Sequence, residues 1–461
     1  MSETRREERG ARFSPRLAAA GAALAVLFAA TIVASQTLPD RRVSYISVVE
    51  APAGMGAGDI LPALSPLDSR AAVAGAMVEL ERATAAAAEA TPEVPWGRWG
   101  LADVQVHAER IRWDDGRDAY VAELDDGRTA ILTLERGPQR HLEALVGRHP
   151  EPGQAAVVLD ATTGRVIALA DAHNEERIGP ELARRSLAFA ASVFKVITGA
   201  ALIADGHVTP SSEECFSGGT SGFELSHLTP NPALDQTCWS FATAMARSGN
   251  VIFARFADRY LTPARLQEHA ERFGFNARIP FEMSIESSRA VMPEDRIEFA
   301  RAAAGFRHSW LSPLHGAMIQ AAIANDGVMM VPAIVAAIEE ADGTVSYVHR
   351  PVEWRRPMSP EHSRLLDQTQ ADTCTTGTAR NYFAQRSGWP ADLRVRGKTG
   401  TLSNRPAHGV NPEVYFLYTW FTGHSARGER RVAVSGLVAS TPTWWVRGSH
   451  LASEAVLASL R

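Results

Sequence analysis

The segment Ser-Val-Phe-Lys-Val-Ile-Thr-Gly-Ala-Ala-Leu, residues 192–202, places a serine and a lysine three positions apart in an apolar stretch with helical character. Residues three apart lie on one face of a helix, so Ser192 and Lys195 are expected to be neighbours, with Ser192 in the first turn. Backbone N–H groups at the start of a helix are unpaired and favour negative charge. A serine there can attack a carbonyl while its own N–H faces the developing oxyanion.

Lysine is almost absent from the chain. Of 47 basic residues only Lys195 and Lys398 are lysine, so 47 − 2 = 45 are arginine. Arginine stays protonated at any ordinary pH, whereas burial or a cationic neighbour can neutralise lysine. A neutral amine can take a proton from a hydroxyl. The two exceptions therefore predict chemistry at both positions, with Lys195 as the base towards Ser192 and Lys398 as a compact charge in the same site.

A second motif, Ser248-Gly249-Asn250, lies in a run with helical character over residues 240–260. The Ser248 hydroxyl is expected to relay a proton from Ser192 to the leaving group, with Lys195 between the two serines. The Asn250 amide is expected to hold Lys195 and a substrate carbonyl. A polar kink in a helix is the structural alternative.

A third motif, Lys398-Thr399-Gly400-Thr401, lies on a predicted strand. Gly400 is expected to let a substrate backbone approach closely. The Thr401 N–H is predicted as the second oxyanion donor, beside the N–H of Ser192. Lys398, Thr399 and Thr401 are predicted to bind a carboxylate, and an ordinary edge strand with a lysine is the structural alternative.

In this order and at these spacings, the three motifs resemble the set Ser-x-x-Lys, Ser-x-Asn and Lys-Thr-Gly of the penicillin-recognising serine acyl-transferases. From about residue 130 to residue 461 the chain is similar to the transpeptidase domain of class B penicillin-binding proteins. The similarity extends to stretches outside the motifs: Thr133-Leu134-Glu135 with Gln139, Ala155 to Ala170, Ser312-Pro313-Leu314-His315, Ala324-Asn325-Asp326-Gly327 with Pro332, Gly377-Thr378-Ala379, and Trp420-Phe421-Thr422-Gly423.

The chain departs from the family pattern in two places beside the motifs. Ala190-Ala191 precede Ser192 where the family often has Pro-Gly. Gly305-Phe306-Arg307-His308 replace a common Gly-Gln-Gly stretch, so the wall of the cleft is expected to differ.

The resemblance implies a serine D,D-transpeptidase that cross-links peptidoglycan stem peptides ending in D-Ala-D-Ala through an acyl-enzyme on Ser192. It further implies β-lactams as covalent inhibitors, cell-wall synthesis proteins such as a glycosyltransferase as partners, and no cofactor. A D,D-carboxypeptidase or β-lactamase-like hydrolase has the same motifs, because deacylation depends on water access. A non-catalytic β-lactam sensor or scaffold is the third alternative.

The fold is predicted as α+β, an α/β/α sandwich whose five-stranded antiparallel sheet is flanked by helices. Two strand-like runs come early, three come late, and helices lie between them. A separate hairpin is predicted before the first run, at Tyr120 to Leu124 and Thr129 to Leu134. The five runs are Ala155 to Leu159, Val166 to Ala170, Val395 to Thr401, Val414 to Thr422 and Arg431 to Ala439.

The N-terminus carries several arginines before an uncharged apolar run from Leu17 to Ala34. This pattern predicts one transmembrane helix with the N-terminus in the cytoplasm. We expect a tail at 1–16, a signal-anchor at 17–38, a linker and small periplasmic region at 39–125, and the transpeptidase domain at 126–461. The catalytic domain would then lie outside the cytoplasm, on the bacterial inner membrane. A cleaved signal peptide and a buried core helix remain the alternatives.

Composition excludes several other classes. The net charge is −5 with no basic block, which argues against nucleic-acid binding. The 14 histidines show no metal-ligand spacing, and no glycine-rich phosphate loop is present, so no metal site is predicted. Cys215 and Cys238 bracket a polar loop and are either a disulfide or two free buried thiols, while Cys374 is left unpaired. The pair Trp444-Trp445 is predicted to pack in the core, and Trp310 either packs there or lines the cleft.

Overall fold

A computed structural model describes residues 101, 104–220, 222–403, 416–441 and 445–460. The predicted signal-anchor and the linker up to residue 100 lie outside these residues. Among the helices of the described part, none is long and apolar enough to cross a bilayer.

Short strands and helices alternate along the described part. The strands, in chain order, are β1 (Arg112–Asp114), β2 (Ala119–Glu123), β3 (Thr129–Leu132), β4 (Gly153–Asp160), β5 (Val166–His173), β6 (Ala188–Phe189), β7 (Glu213–Phe216), β8 (Thr237–Ser240), β9 (Arg289–Ala290), β10 (Ser309–Leu311), β11 (Met329–Met330), β12 (Val335–Glu339), β13 (Val345–Val348), β14 (Glu353–Arg355), β15 (Val395–Ser403), β16 (Leu417–Arg427) and β17 (Arg430–Ser440). The α-helices are α1 (Arg136–Val146), α2 (Lys195–Ala204), α3 (Phe241–Arg247), α4 (Asn250–Tyr260), α5 (Pro263–Arg272), α6 (Arg296–Ala303), α7 (Pro313–Ala324), α8 (Pro360–Gln370) and α9 (Gly448–Leu460).

The predicted five-stranded sheet is present, in the order β15-β16-β17-β4-β5, and every neighbouring pair is antiparallel. Its two early and three late strands are those that the apolar runs indicate. Strand β4 is buried along almost its whole length. Helices cover both of its faces, which explains why its apolar residues run continuously instead of alternating.

Two hydrophobic clusters fill the two sides of this sheet. On one side Leu451 and Leu457 of α9 and Leu142 of α1 pack against β4 and β17. On the other side, residues of α2, α4 and α7 form the larger core. Because apolar layers of helix lie on both faces, the α/β/α sandwich predicted from the sequence is confirmed.

A second five-stranded sheet joins the region before residue 125 to the rest of the fold. The predicted hairpin is confirmed as β2 and β3, and the sheet order is β1-β2-β3-β12-β13. The expected boundary at 125/126 therefore falls in the turn of a hairpin. Strand β3 pairs with β12, so residues 112–123 share a sheet with residues 335–348. Hydrophobic periodicity marks each strand but does not show which distant strand it joins.

The start of the family-like domain is fixed to the central sheet by side chains. The Gln139 amide donates to the Leu169 carbonyl at 3.0 Å and accepts from the Leu169 N–H at 2.8 Å, as a paired strand residue would. The Thr133 hydroxyl is 2.7 Å from the Val166 carbonyl oxygen and 3.0 Å from that of Ala333. These contacts connect the two five-stranded sheets.

The structure resolves the open alternative for one pair of cysteines and corrects the prediction for one tryptophan. Cys215 and Cys238 are opposite each other on β7 and β8 and form a disulfide. Cys374 is free and buried, and burial raises the pKa of its thiol well above the ordinary value. Trp445 is 71% exposed, so the prediction of core packing is wrong for this residue; Trp444 lies outside the described residues.

Candidate active site

Ser192 lies in a tight turn at the edge of a small sheet. Strand β6 ends at Phe189, and a 3-10 helix, Ala191–Phe194, continues directly into α2. The segment predicted as one α-helix from residue 192 therefore begins one residue earlier, as a 3-10 turn. Ser192 is partly exposed, whereas Ala191 and Val193 are buried. The hydroxyl can thus meet a substrate while its turn is held by the core.

The backbone explains the departure from Pro-Gly before the serine. Ala190 has a φ of −61°, a value that proline adopts, and Ala191 has a φ of +51°, in the left-handed region that favours glycine. The Ala190 N–H donates to the Ser309 carbonyl at 2.9 Å, a hydrogen bond that proline cannot make. The chain keeps the conformation of the turn with two alanines and gains this hydrogen bond to β10.

The Lys195 amine lies at the centre of a buried polar cluster. Its Nζ is 2.9 Å from Ser192 Oγ and 2.6 Å from Asn250 Oδ1, and it also contacts the Ala304 carbonyl oxygen closely. Lys195 is 0% exposed, and burial together with the nearby charge of Lys398 lowers its pKa well below the ordinary value. A neutral amine has two N–H donors and one lone pair. Asn250 and Ala304 accept the two N–H groups, which leaves the lone pair for the Ser192 hydroxyl.

The orientation of Asn250 is fixed by its other end. Its Nδ2 donates to the Thr220 carbonyl at 3.0 Å, so Oδ1 is directed to Lys195. Asn250 is the first residue of α4 and is buried. The predicted contact between the asparagine amide and Lys195 is therefore present.

Ser248 is placed by a break in the predicted helix over residues 240–260. Helix α3 ends at Arg247, Ser248 has a φ of +60°, and α4 starts at Asn250. The break turns the Ser248 hydroxyl towards the central sheet, where Lys398 Nζ lies 2.9 Å from Ser248 Oγ. The sequence predicted Lys195 as the partner of Ser248, and the hydrogen bond in the structure is instead made by Lys398.

Lys398 is also fully buried, at 0% exposure, and burial lowers its pKa to about 7. Its Nζ donates to Ser248 and to the Thr399 carbonyl, both at 2.9 Å. Binding of a carboxylate by Lys398, Thr399 and Thr401 stays a prediction, in which the two threonine hydroxyls are the groups open to solvent. Thr399 is partly exposed and Thr401 is exposed on the same strand.

The strand that carries Lys398 is an edge strand, as the sequence suggested, and it packs against the nucleophile turn. A Cβ at Gly400 would lie 3.2 Å from the Ala190 carbonyl oxygen and 3.3 Å from the Ala191 Cβ. The approach of the Ser192 turn therefore leaves little room for a side chain at Gly400. The approach of a substrate backbone to this glycine stays a prediction. The hydroxyl of Thr399 lies 2.6 Å from that of Thr378, whose N–H donates to the Ala246 carbonyl at 3.1 Å.

Three partners of the site were not predicted. Two of them, the carbonyls of Ala304 and Thr220, are backbone groups, and residue type carries no signal for such a role. Thr378 lies in Gly377-Thr378-Ala379, a stretch that resembles the family, and this was the available signal for it. Trp310 is half-buried beside the turn, with its ring centroid 5.1 Å from that of Phe189.

Gly305 closes the back of the nucleophile turn. It has a φ of +81°, and a Cβ on it would lie 2.2 Å from the Ala191 carbonyl oxygen and 2.9 Å from the Ser192 Cα. Both the backbone conformation and the contact exclude a side chain. The departing segment from residue 305 to residue 308 therefore keeps the glycine on which the position of Ser192 depends.

Gly305→Ala is expected to lower the rate of acylation of Ser192 by about 100-fold, because a displacement of about 1 Å at a reacting group has that effect. The matched control is Gly343→Ala, since Gly343 has a similar φ of +85° but nothing within 4 Å of its Cβ position. Both variants carry backbone strain of about 1–2 kcal/mol. Thermal melting measures the effect of backbone strain on stability, and stopped-flow acylation measures the effect of displacing Ser192. Equal acylation rates for the two variants would contradict this role of Gly305.

No group of three His, Cys, Asp or Glu side chains that could hold a metal ion occurs in the part of the chain that the structure describes. The half-exposed Ser192 lies next to the Lys195 amine, whose pKa is lowered, and a second pair, Ser248 and Lys398, lies in the same site. These groups define a site for nucleophilic serine chemistry on an α/β/α sandwich.

Comparison with known proteins identifies the family of the chain. The model of the penicillin binding protein transpeptidase domain family matches residues 154–459, and the chain belongs to this family. Penicillin-binding protein PbpB of Mycolicibacterium smegmatis is 28% identical over 380 residues, covering 75% of this chain and 57% of PbpB. Peptidoglycan D,D-transpeptidase PbpA of Mycobacterium tuberculosis is 26% identical over 319 residues, covering 62% of this chain and 61% of PbpA. The chain thus spans between about half and three fifths of the length of such relatives.

Solved structures have the same fold. The imipenem acyl-enzyme complex of penicillin-binding protein A from M. tuberculosis superposes with a TM-score of 0.60 at 22% identity, covering 73% of this chain and 80% of that chain. The D,D-transpeptidase domain of a peptidoglycan glycosyltransferase from Eggerthella lenta gives a TM-score of 0.58 at 24% identity, covering 72% and 83%. At these identities the similarity establishes the fold.

Proposed function

We propose that this protein is a serine D,D-transpeptidase that cross-links peptidoglycan stem peptides ending in D-Ala-D-Ala. The observation that carries the proposal is the environment of the Lys195 amine. In its neutral form the amine can donate its two N–H groups to Asn250 and Ala304, which leaves its lone pair for the Ser192 hydroxyl, whose Oγ lies 2.9 Å from Nζ. This arrangement prepares a serine for attack on a carbonyl, and relatives in the family bear the name peptidoglycan D,D-transpeptidase.

The first step forms an ester. Ser192 Oγ attacks the carbonyl between the two D-alanines while its proton passes to the neutral Lys195 amine. The backbone N–H groups of Ser192 and Thr401 stabilise the oxyanion, each contributing a factor of about 10²–10³. The packing of β15 on the nucleophile turn at Gly400 supports this pairing, because it brings the two segments into contact.

Release of the leaving group requires a proton. The C–N bond breaks as the departing D-alanine amine takes a proton from the Ser248 hydroxyl, and the protonated form of Lys398, whose Nζ lies 2.9 Å from Ser248 Oγ, donates a proton back to that oxygen. The hydroxyls of Thr399 and Thr401 bind the terminal carboxylate, and the buried Lys398 adds positive charge when it is protonated.

The neutral amine of a neighbouring stem peptide then attacks the ester carbonyl, and its released proton passes through the Ser248 hydroxyl to Lys398. The bond to Ser192 Oγ breaks as protonated Lys195 returns a proton to that oxygen, which forms the cross-link and frees Ser192.

β-Lactams are proposed to acylate the same serine, since the ring amide takes the place of the scissile peptide bond. Opening of the lactam ring keeps the leaving nitrogen tethered to the acyl group. The acyl-enzyme therefore persists until water or an amine reaches it, and the proposal predicts long-lived adducts.

The activity is tested with the full chain, a pentapeptide ending in D-Ala-D-Ala and a second peptide that carries a free amine. Mass spectrometry is expected to find free D-alanine and a cross-linked product, both absent with Ser192→Ala. Release of D-alanine with the tetrapeptide acid as the only other product would make the protein a D,D-carboxypeptidase. A stable penicillin adduct without any turnover of peptide would favour the sensor or scaffold alternative.

We also propose that residues 17–38 form a signal-anchor, which places the catalytic domain on the outer side of the bacterial inner membrane, next to glycosyltransferase partners. The basis is the apolar run from Leu17 to Ala34 after several arginines. Carbonate extraction of membranes followed by N-terminal sequencing tests this. A mature N-terminus after residue 34 would show a cleaved signal instead.

A further inference from the structure

The segment that departs from the family's Gly-Gln-Gly pattern, residues 305–308, contacts the loop between β7 and β8. The Phe306 ring meets the Phe223 ring edge-on, with centroids 5.8 Å apart and ring planes at 82°. Phe223 is 5% exposed, and Phe306 is partly buried against the larger core. A guanidinium nitrogen of Arg301 donates to the Phe223 carbonyl at 3.4 Å. An apolar contact and a hydrogen bond therefore join the loop to the end of α6.

Each of these two segments supports one acceptor of the Lys195 amine. Ala304 directly precedes the departing segment, and its carbonyl oxygen contacts Lys195 Nζ. Thr220 lies in the loop between β7 and β8, and its carbonyl accepts Nδ2 of Asn250, whose Oδ1 is 2.6 Å from the amine. The two phenylalanines follow Ala304 and Thr220 by only two and three positions. A change in the separation of the segments would therefore displace both acceptors.

Other contacts around the amine do not involve the loop between β7 and β8. The Thr198 hydroxyl donates to the Ala303 carbonyl at 2.7 Å, which holds the end of α6 on α2. The ring centre of Phe253, on α4, lies 5.7 Å from Lys195 Nζ. The amine itself is 0% exposed. The contact between the two phenylalanines is thus a separate connection, and it joins the loop to a core that already encloses the lysine.

The charged groups near this contact are paired with one another. Glu298 lies 2.6 Å from Arg301 and 3.2 Å from His308. Burial, and after it the charge of Lys398, lowers the pKa of Lys195. Because the Glu298 carboxylate lies between the two basic groups, loss of the aromatic contact is expected to act on Lys195 through its burial.

We propose that Phe306 is a positioning residue for Lys195, because its contact with Phe223 keeps the two acceptors of the amine in place and keeps water away from the amine. This inference rests on the proposed function, since it concerns the base of the same site. It also gives the departure from Gly-Gln-Gly a role, because neither glycine nor glutamine supplies an aromatic ring.

Phe306→Ala is expected to lower the rate of acylation at pH 7 by about tenfold, a part of the factor of about 10²–10⁴ that a positioned base contributes. Water that reaches Lys195 raises its pKa towards the ordinary value, so the pH profile should move to higher pH and the rate should approach that of the wild type at pH 9.5. Phe306→Leu, which keeps an apolar side chain, should give a smaller shift. Stopped-flow measurement with a chromogenic β-lactam on the full chain, at several concentrations and pH values, separates the rate constant from the affinity.

Phe223→Ala tests the same contact from the other side. It should move the profile in the same direction, and the double variant with Phe306→Ala should show less than the sum of the two effects, since contacting residues are coupled. The matched control is Trp113→Ala, because Trp113 is also partly buried and meets a 5% exposed ring, that of Tyr120, edge-on at 5.2 Å on the second sheet. His308→Asn, in which asparagine tolerates the φ of +84°, removes the nearby histidine. Both controls should keep the wild-type midpoint.

An unchanged midpoint in Phe306→Ala would overturn the inference and leave the proposed function intact, whether the rate falls equally at every pH or not at all. A weaker affinity with the wild-type midpoint would also overturn it, because Phe306 would then be a contact of the ligand. The same holds if the two alanine effects are additive, or if His308→Asn moves the midpoint as far. Absence of acylation by the wild type would instead overturn the proposed function, and the inference with it. Thermal melting shows whether Phe306→Ala is folded, and Phe306→Leu provides the reading if it is not.

Discussion

Lys195→Arg is expected to abolish acylation of Ser192, with a fall of about 10²–10⁴ in rate, although the positive charge is retained. The Lys195 amine is buried, and burial and Lys398 lower its pKa well below the ordinary value. The lowered pKa favours the neutral form, in which the amine carries a lone pair next to the hydroxyl that must lose a proton. A guanidinium is always protonated and has no lone pair to offer.

Stopped-flow measurement with a chromogenic β-lactam gives the acylation rate of Lys195→Arg, and circular dichroism shows whether the fold is retained. Lys195→Ala in the presence of small amines separates steric effects from loss of the base. Partial recovery that grows with pH, as more of the added amine becomes neutral, is the expected result. An active Lys195→Arg protein would refute the neutral-base role.

Lys398→Met is expected to remove most acylation activity and, at the same time, to stabilise the fold. Burial lowers the pKa of Lys398 from 10.5 to about 7. At 1.36 kcal/mol per pKa unit, this corresponds to a cost on the order of 4 kcal/mol for folding at neutral pH, and the lost hydrogen bonds to Ser248 and Thr399 offset about 1 kcal/mol of the gain. The free energy of unfolding should rise by about 3 kcal/mol.

The pH dependence gives this prediction a distinctive form. Between about pH 7 and pH 10.5, the unfolded chain binds a proton at residue 398 that the folded protein does not. Wild-type stability therefore increases with pH across this window, relative to the methionine variant. The advantage of Lys398→Met should be fully present below pH 7 and should shrink as the pH approaches 10.

Denaturant unfolding at pH 6.5 and pH 9.5 measures both effects. The control is Arg350→Met, in which an exposed cation is replaced and the change is expected to stay within about 0.5 kcal/mol. A Lys398→Met protein that is no more stable than the wild type, or whose gain is the same at both pH values, would show that the buried amine carries no penalty.

Much of the site was predictable because its chemistry restricts residue type. Arginine cannot lose its proton at ordinary pH but lysine can, and only two positions in the chain carry a lysine. The spacing of Ser192 and Lys195 predicted their contact, and the structure places Nζ and Oγ 2.9 Å apart. The central sheet was predictable for a similar reason, since strands buried on both faces produce continuous apolar runs.

The partner of Ser248 was not predictable from the same pattern. Residues 240–260 have helical character throughout, and an unbroken helix would direct the hydroxyl elsewhere. Ser248 adopts a left-handed conformation, and the ring of Trp239, on a strand outside this segment, packs on the next residue, Gly249. The hydrophobic periodicity of a segment does not report its contacts with residues that are distant in the sequence.

The other features that the sequence did not predict involve backbone groups and the pairing of distant strands. The carbonyl of Ala304 completes the environment of Lys195, yet any residue could supply it. The pairing of β3 with β12 joins positions that are about two hundred residues apart, so the boundary expected at 125/126 missed the sheet that crosses it. The disulfide of Cys215 and Cys238 also depended on pairing of β7 with β8.

The central claim is that Ser192, activated by Lys195, is the residue that forms the acyl-enzyme. The most direct test is incubation of the full chain with benzylpenicillin, followed by intact-mass spectrometry and peptide mapping. The account predicts one adduct with the full mass of the drug, since ring opening loses no atoms, located on the peptide that contains Ser192 and absent from Ser192→Ala. An unmodified wild-type protein, or an adduct that persists in Ser192→Ala, would contradict the account.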